Sequence, residues 1–192
     1  TGGILKTEVL SFRRLAFRVF NETGGLTYPH IHPAGKSMII CRILDRMGDG
    51  LKTYAGLSEH RGFINSLSSL ITEMKKYDIT PDRLESAASV IEEGLPLRDK
   101  LRELKDIYAE YEKMMAERYR DSDDDLTLAA RKLGQAKSYD GAEIWIDGFS
   151  GFTPQEYNII GCLLKKAERV SITLCTDSLD GKEDSEGTDV FY

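Results

Sequence analysis

The residues with most chemical promise lie between Ile144 and Glu156, which reads Ile-Trp-Ile-Asp-Gly-Phe-Ser-Gly-Phe-Thr-Pro-Gln-Glu and holds two carboxylates, Asp147 and Glu156. Ile144, Trp145 and Ile146 read as a short, fully buried strand that ends in Asp147. A turn opened by Gly148 follows, and then a helix start. Thr153 suits the N-cap, Pro154 the first helical position, and Glu156 stands three residues after the cap, where it completes a capping box. A carboxylate at the C-terminal end of a buried strand, just ahead of a helix, faces the crevice in which open α/β sheets take their ligands. Nucleotide-hydrolysing proteins keep a magnesium-holding acid at such a place. A plain turn acid is the alternative for Asp147.

Other groups offer weaker chemistry. Gly35-Lys36-Ser37 has the end of a phosphate-binding loop, but the required first glycine would be position 30, which is His30, and Pro33 removes an N–H within the loop. It reads as an ordinary loop entering a helix. His30 and His32 have the spacing of a metal pair without a third ligand nearby, so a solvated loop is expected. The acids Asp121, Asp123, Asp124 and Asp125 lack the remaining ligands of a calcium loop and read as helix capping, with Ser122 as the cap. Tyr108, Tyr111 and Met115 lie on a helical seam, which favours core packing over base stacking. Arg13, Arg14 and Arg18 start or flank a helix whose first-turn N–H groups could meet a phosphate; surface solvation with salt bridges is the alternative.

The elements that must position these groups fall into three blocks. Glu8 to Phe12 reads as a strand, and Arg13 to about Glu22 as a helix with Leu15, Val19 and Phe20 on one face, ended by Gly24-Gly25. Residues 26 to 35, with Pro29, Pro33 and Gly35, read as a loop. Helices follow around Met38 to Met47, along Phe63, Leu67, Leu70, Met74 and Tyr77, and from Pro81 to about Glu93. A long one follows along Leu97, Leu101, Leu104, Tyr108, Tyr111 and Met115. A strand at Glu143 to Asp147, a helix from Thr153 to about Ala167 and a strand from Arg169 to Cys175 make a right-handed parallel βαβ unit. The fold class is thus α/β but mostly helical: a partial parallel sheet of about three strands with a large inserted α-helical domain. The blocks are 1–25 (first strand and helix), 26–140 (helical insert) and 141–192 (returning βαβ unit with an acidic tail). So small a sheet suggests a piece of something larger.

The 192 residues are 41% hydrophobic and 30% charged, as in ordinary globular proteins, and the net charge of −6 argues against a strongly basic nucleic-acid module. Three cysteines, Cys41, Cys162 and Cys175, lie far apart with no CxxC spacing and read as reduced thiols. No apolar run approaches the ~18 residues of a membrane span. A cytoplasmic protein without membrane contact is expected.

Two blocks at opposite ends carry a family resemblance. Glu8-Val-Leu-Ser-Phe-Arg-Arg-Leu-Ala-Phe-Arg-Val-Phe20 resembles the strand–helix segment that reads roughly Thr-Phe-His-Ser-Leu in UvrD-like superfamily 1 helicases and touches the DNA backbone. Asp147 to Glu156 resembles the magnesium motif in the form it takes in the AddB (RexB) subunits of bacterial AddAB helicase–nucleases. Tyr119 to Leu126 is similar to the acidic helix start that precedes that motif. The resemblance spans essentially the whole chain and implies a partial RecA-like domain. It also implies DNA contact by Ser11, Phe12, Arg13, Arg14 and Arg18, and a nucleotide motif at Asp147, Gly148 and Glu156.

The motif departs from that of an active motor. An active relative carries Asp-Glu, the second residue positioning the attacking water; here Gly148 follows Asp147, Ser150 and Gly151 replace Gln and Asp, and Glu156 replaces the final glutamine. The resemblance implies that this degeneracy is normal in AddB and that an AddA-type partner drives unwinding. The phosphate-binding loop would precede Thr1, so tight ATP binding is not expected. No catalytic residue, metal or cofactor is expected within the chain. ATP with magnesium, an iron–sulfur cluster, a nuclease domain and help in Chi recognition are implied for full-length members of the family, whose work is double-strand break processing for recombination. Two rival readings are an active nucleotide hydrolase using Asp147 and Asp177, and a structural module that only docks a partner protein.

Overall fold

Helices make up most of the computed structural model, which describes residues 7–25 and 29–174. Cys175, Asp177 and the acidic tail lie outside the described residues.

Ser11 caps the first helix, α1 (Phe12–Thr23), its hydroxyl accepting from the Arg14 N–H, and Gly24 at φ 75° ends it in a conformation that favours glycine. Leu15, Ala16, Val19 and Phe20 bury one stripe of α1. Helix α2 (Pro33–Met47) starts earlier than expected, because Pro33 takes the first helical position and His32 caps it. The loop reading of 26–35 therefore ends at His32, and Gly35-Lys36-Ser37 is helical.

Helices α3 (Arg61–Lys76), α4 (Pro81–Ser89) and α5 (Pro96–Arg118) follow. In α3 the buried stripe is Ile64, Leu67, Ile71 and Met74, whereas Leu70 and Tyr77 are exposed, so the seam is rotated from the expected one. Helix α4 stops at Ser89 rather than near Glu93, since its apolar face ends at Ala88 and Val90 stands in solvent. On α5, Leu104, Tyr108, Tyr111 and Met115 are buried as expected, joined by Ile107, while Leu97 is exposed.

A 3-10 turn (Ser122–Asp124) leads into α6 (Asp125–Leu133), and the cap is the Asp121 side chain, not Ser122. Strand β1 (Glu143–Ile146), helix α7 (Pro154–Leu164) and strand β2 (Arg169–Ile172) form the expected parallel βαβ unit, with Glu143 opposite Arg169 and Ile146 opposite Ile172.

The sheet has two strands among the described residues, not about three. Residues 7–11 pair with neither strand, and Phe12 is already helical. Strand β1 is also not fully buried. It alternates, with Ile146 in the core and Trp145 65% exposed on the opposite face. Parallel sheets are normally covered on both sides; among the described residues helices cover one.

Burial divides between two hydrophobic clusters. One joins α2, α3, α4 and α5 around Ile40, Ile43, Ile71, Ile107 and Tyr111. The other joins α1, α6, α7 and β1 around Val19, Phe20, Leu133, Ile146 and Ile159. Each such side chain, fully withdrawn from water, contributes about 1.5–3 kcal/mol. The chain crosses between the two lobes at residues 29–31 and 120–125. There the Ile31 N–H donates to the Arg120 carbonyl at 2.9 Å and the Arg120 N–H to the Pro29 carbonyl at 3.1 Å.

Candidate nucleic-acid interface and strand-end motif

Asp147 emerges at the end of β1, exposed, and accepts a hydrogen bond from the Thr173 hydroxyl just beyond β2. Gly148 turns the chain with φ 82°. A side chain there would meet no atom within 4 Å, so the requirement for glycine is conformational rather than steric. Glu156 completes the expected capping box: its carboxylate accepts from the Thr153 N–H at 2.8 Å, while the Thr153 hydroxyl accepts from the Glu156 N–H. That carboxylate is engaged with its own helix. The residues do not make a set for a metal-bound phosphate, since Gly148 offers no group and Glu156 is spent in the cap. Among the described residues no cluster of three or more His, Cys, Asp or Glu is placed to hold a metal ion.

The two sequence blocks, far apart in the chain, lie side by side. The Phe12 ring packs edge-on against Phe149 at 5.3 Å and Phe152 at 6.1 Å between centroids, and Tyr157 extends the cluster. Phe12 is therefore buried, and its ring anchors the start of α1 to the loop after β1 instead of standing at the surface. Its neighbours behave differently. Arg13 and Arg14 are exposed and make no ion pair among the described residues, whereas Arg18 pairs with Glu8 at 2.9 Å. Ser11 is exposed at the cap, beside the free first-turn N–H groups of α1.

The acidic run holds a buried polar cluster where the sequence suggests capping alone. Lys36 of α2 lies 3.1 Å from Asp121 and 2.7 Å from Asp123; Lys75 of α3 lies 2.7 Å from Asp124, 2.6 Å from Glu112 and 3.3 Å from Asp121. The Tyr111 hydroxyl donates to Asp121 at 2.8 Å, and both ammonium groups sit within 6 Å of its ring centre. Burial alone would lower the Lys75 pKa, but the charges of Asp124, Glu112 and Asp121 outweigh it and raise it. Burial likewise opposes ionisation of Asp121, yet Lys75 and Lys36 hold its carboxyl below the usual range. At Asp124 burial prevails over Lys75 and, with Glu112 and Asp121 close by, pushes the pKa up to about 6. Arg120 binds Asp125 at 2.6 Å, and His30 meets the same carboxylate at 2.9 Å, so His30 is tied to the junction rather than left in a solvated loop.

Gln155, within the Asp147–Glu156 segment, is a residue that sequence reasoning misses. It is 4% exposed and donates to the Asp123 carbonyl at 2.8 Å and to the Thr127 hydroxyl at 3.0 Å. The first turn of α7 is thereby joined to the charged junction. An amide beside a capping-box glutamate is the available signal, but nothing local says that it is buried.

Comparison with known proteins agrees with this arrangement. The family profile described as "ADDB, N-terminal" matches residues 1–192. The chain is 62% identical over 191 residues to the B-type subunit of the ATP-dependent helicase/deoxyribonuclease of Acetivibrio thermocellus, covering 100% of this chain and 16% of that protein. It is 51% identical over 191 residues to the protein of the same name from Ruminiclostridium cellulolyticum, again 100% of this chain and 17% of the relative. The Thermoanaerobacter sp. protein of that name is 46% identical over 189 residues, 98% of this chain and 16% of the relative. The chain spans about a sixth of the length of these relatives. With the βαβ unit, the helical insert and the Asp147–Glu156 motif all in place, the chain belongs to the AddB N-terminal family.

Proposed function

We propose that this chain is a helicase-like, non-hydrolysing part of an AddB-type subunit that processes DNA double-strand breaks with an AddA-type partner, and that it contacts the DNA backbone at the start of α1. The carrying observation is the exposure of Arg13 and Arg14 beside the capped N-terminus of α1, held against the β1–α7 loop through Phe12. Backbone N–H groups and guanidinium groups together suit a phosphate. Ser11 and Arg18 flank this track, and Phe12 acts by position. Blocks 1–25, 26–140 and 141–192 stand as a partial RecA-like unit interrupted by an insert.

What supports the non-hydrolysing reading is Gly148, which supplies no base, and Glu156, which is committed to Thr153. ATP, magnesium and an iron–sulfur cluster then belong to the full-length protein and its partner. Salt-titrated anisotropy of labelled single-stranded DNA tests the reading. Binding that weakens steeply with salt and falls on joint Arg13→Glu and Arg14→Glu supports it; binding unchanged in that variant removes the α1 track.

A second role, protein docking, is favoured by the bare sheet face. Trp145 is 65% exposed there, an aromatic of the kind that marks interaction sites. Loss of co-purification with an AddA-type partner on Trp145→Glu is the expected result.

A further inference from the structure

A groove of about 780 Å³ runs between α2 and α5, remote in sequence from the start of α1. Arg42 and Arg46, one helical turn apart on α2, line it from one side, and Lys113 and Arg118 of α5 line it from the other. Past Arg46 and Lys113 it opens into a shallower depression of about 580 Å³ that adds Met47, Ala109 and the acid Asp106, so the cations are concentrated in the groove itself. Arg42, Arg46 and Arg118 are exposed and make no ion pair among the described residues. Glu110 and Glu117 also line the groove; Glu110 is engaged with Lys113 at 3.7 Å. In a chain of net charge −6 this is a local reversal of sign.

Apolar surface is interleaved with the charge. Met38 is 72% exposed and Tyr119 41% exposed at one end of the groove. A duplex offers its phosphates but keeps its bases stacked inside, whereas a single strand presents both phosphates and base faces. An acidic peptide would use the cations and leave Met38 and Tyr119 without a role.

We propose that the α2–α5 groove binds single-stranded nucleic acid, with Arg42, Arg46 and Arg118 on the phosphates and Tyr119 beneath a base. This extends the DNA-binding reading to the helical insert and rests on it, but it uses none of the α1 residues.

The test is anisotropy of fluorescein-labelled oligothymidylate against the 192-residue chain, the joint Arg42→Glu and Arg46→Glu variant, Tyr119→Ala, and the joint Arg13→Glu and Arg14→Glu variant. These side chains are exposed, and circular dichroism is the check that each variant is folded. The expected result is a loss of affinity of about tenfold or more in the Arg42/Arg46 variant, with the salt slope reduced by about 1.4, the value for two single-strand phosphates. Tyr119→Ala is expected to lose about five- to 150-fold, the range for one base stacked on an aromatic ring. Unchanged binding in the groove variants with loss in the Arg13/Arg14 variant overturns the groove and leaves the α1 track standing. Loss in the groove variants alone supports the groove and removes the α1 track. Full competition by polyglutamate together with an unaffected Tyr119→Ala overturns the proposal in favour of an acidic peptide. Absence of binding at any salt overturns both.

Discussion

The Lys75 ammonium of α3 lies 2.7 Å from the Asp124 carboxylate, which belongs to the turn entering α6. The pair spans the boundary between the two hydrophobic clusters, because α3 packs in one and α6 in the other. With Lys36, Thr72, Asp121, Asp123 and Tyr111 it forms a polar seam, and Gln155 extends that seam to the first turn of α7. The helical insert and the Asp147–Glu156 segment are therefore joined through this seam, the segment contributing the neutral Gln155 amide.

Removing one charge from the seam strands the others. Lys75→Met is expected to cost about 3–5 kcal/mol, because it leaves Asp121, 3% exposed, and Asp124 without their main counter-charge. Urea denaturation reads this as a lower midpoint, and a loss below about 1 kcal/mol would mean that Lys36 alone neutralises the site.

Asp124 gives the seam a pH dependence of unusual sign for a carboxylate. Its pKa is about 6 in the folded chain against 3.8 for the ordinary group, so the folded state binds more protons between those values. Its contribution to stability is most favourable below pH 3.8 and declines as pH rises through 6. Asp121, held low by Lys75 and Lys36, acts in the opposite direction, its contribution being lost as pH falls. Comparing unfolding midpoints of the parent and Asp124→Asn at about pH 5 and about pH 7.5 separates the two, and the parent is expected to show the larger drop with rising pH. Equal slopes would place the titration elsewhere.

Gln155→Leu keeps the volume but removes the donor to Asp123 and Thr127. A loss of about 1–3 kcal/mol is expected from the unsatisfied buried carbonyl. Amide exchange is expected to quicken along the first turns of α6 and α7 rather than in α3 or α5; uniform quickening would mark a general loss of stability.

At the strand end, Gly148→Ala is expected to destabilise by about 1–2 kcal/mol through its left-handed backbone. Gly148→Glu restores the residue type of an active motor but is expected to yield no ATP turnover, since Glu156 stays with Thr153. Turnover in that variant, by phosphate release, would contradict the non-hydrolysing reading.

Local signals are legible in the sequence. Thr153, Pro154 and Glu156 carry cap chemistry within a few residues, and the helix they start stands where expected, whereas the cap at Ser11 is hidden in what reads as a strand. Long-range relations are not. Glu8 to Phe12 has a strand's composition, but a strand exists only with a partner, and β1 and β2 pair with each other. Trp145 in an apolar run looks buried until the face opposite α7 proves open. Lys36 and Lys75 resemble surface lysines in any window; only the folded chain brings Asp121 and Asp124 to them. Phe12 stands among residues that suggest DNA contact, and its ring is instead held by Phe149 and Phe152.

The paired crossing at Pro29–Ile31 and Arg120 has a mechanical meaning. Two chain segments running in parallel and hydrogen-bonded to each other cannot be stretched apart without breaking that ladder, though they can twist as one ribbon. Relative movement of the two lobes has to disturb this bridge together with the Lys36–Asp121, Lys75–Asp124 and Gln155–Asp123 contacts beside it. The insert is thus held to the rest of the chain at two places, the backbone bridge and the charged seam.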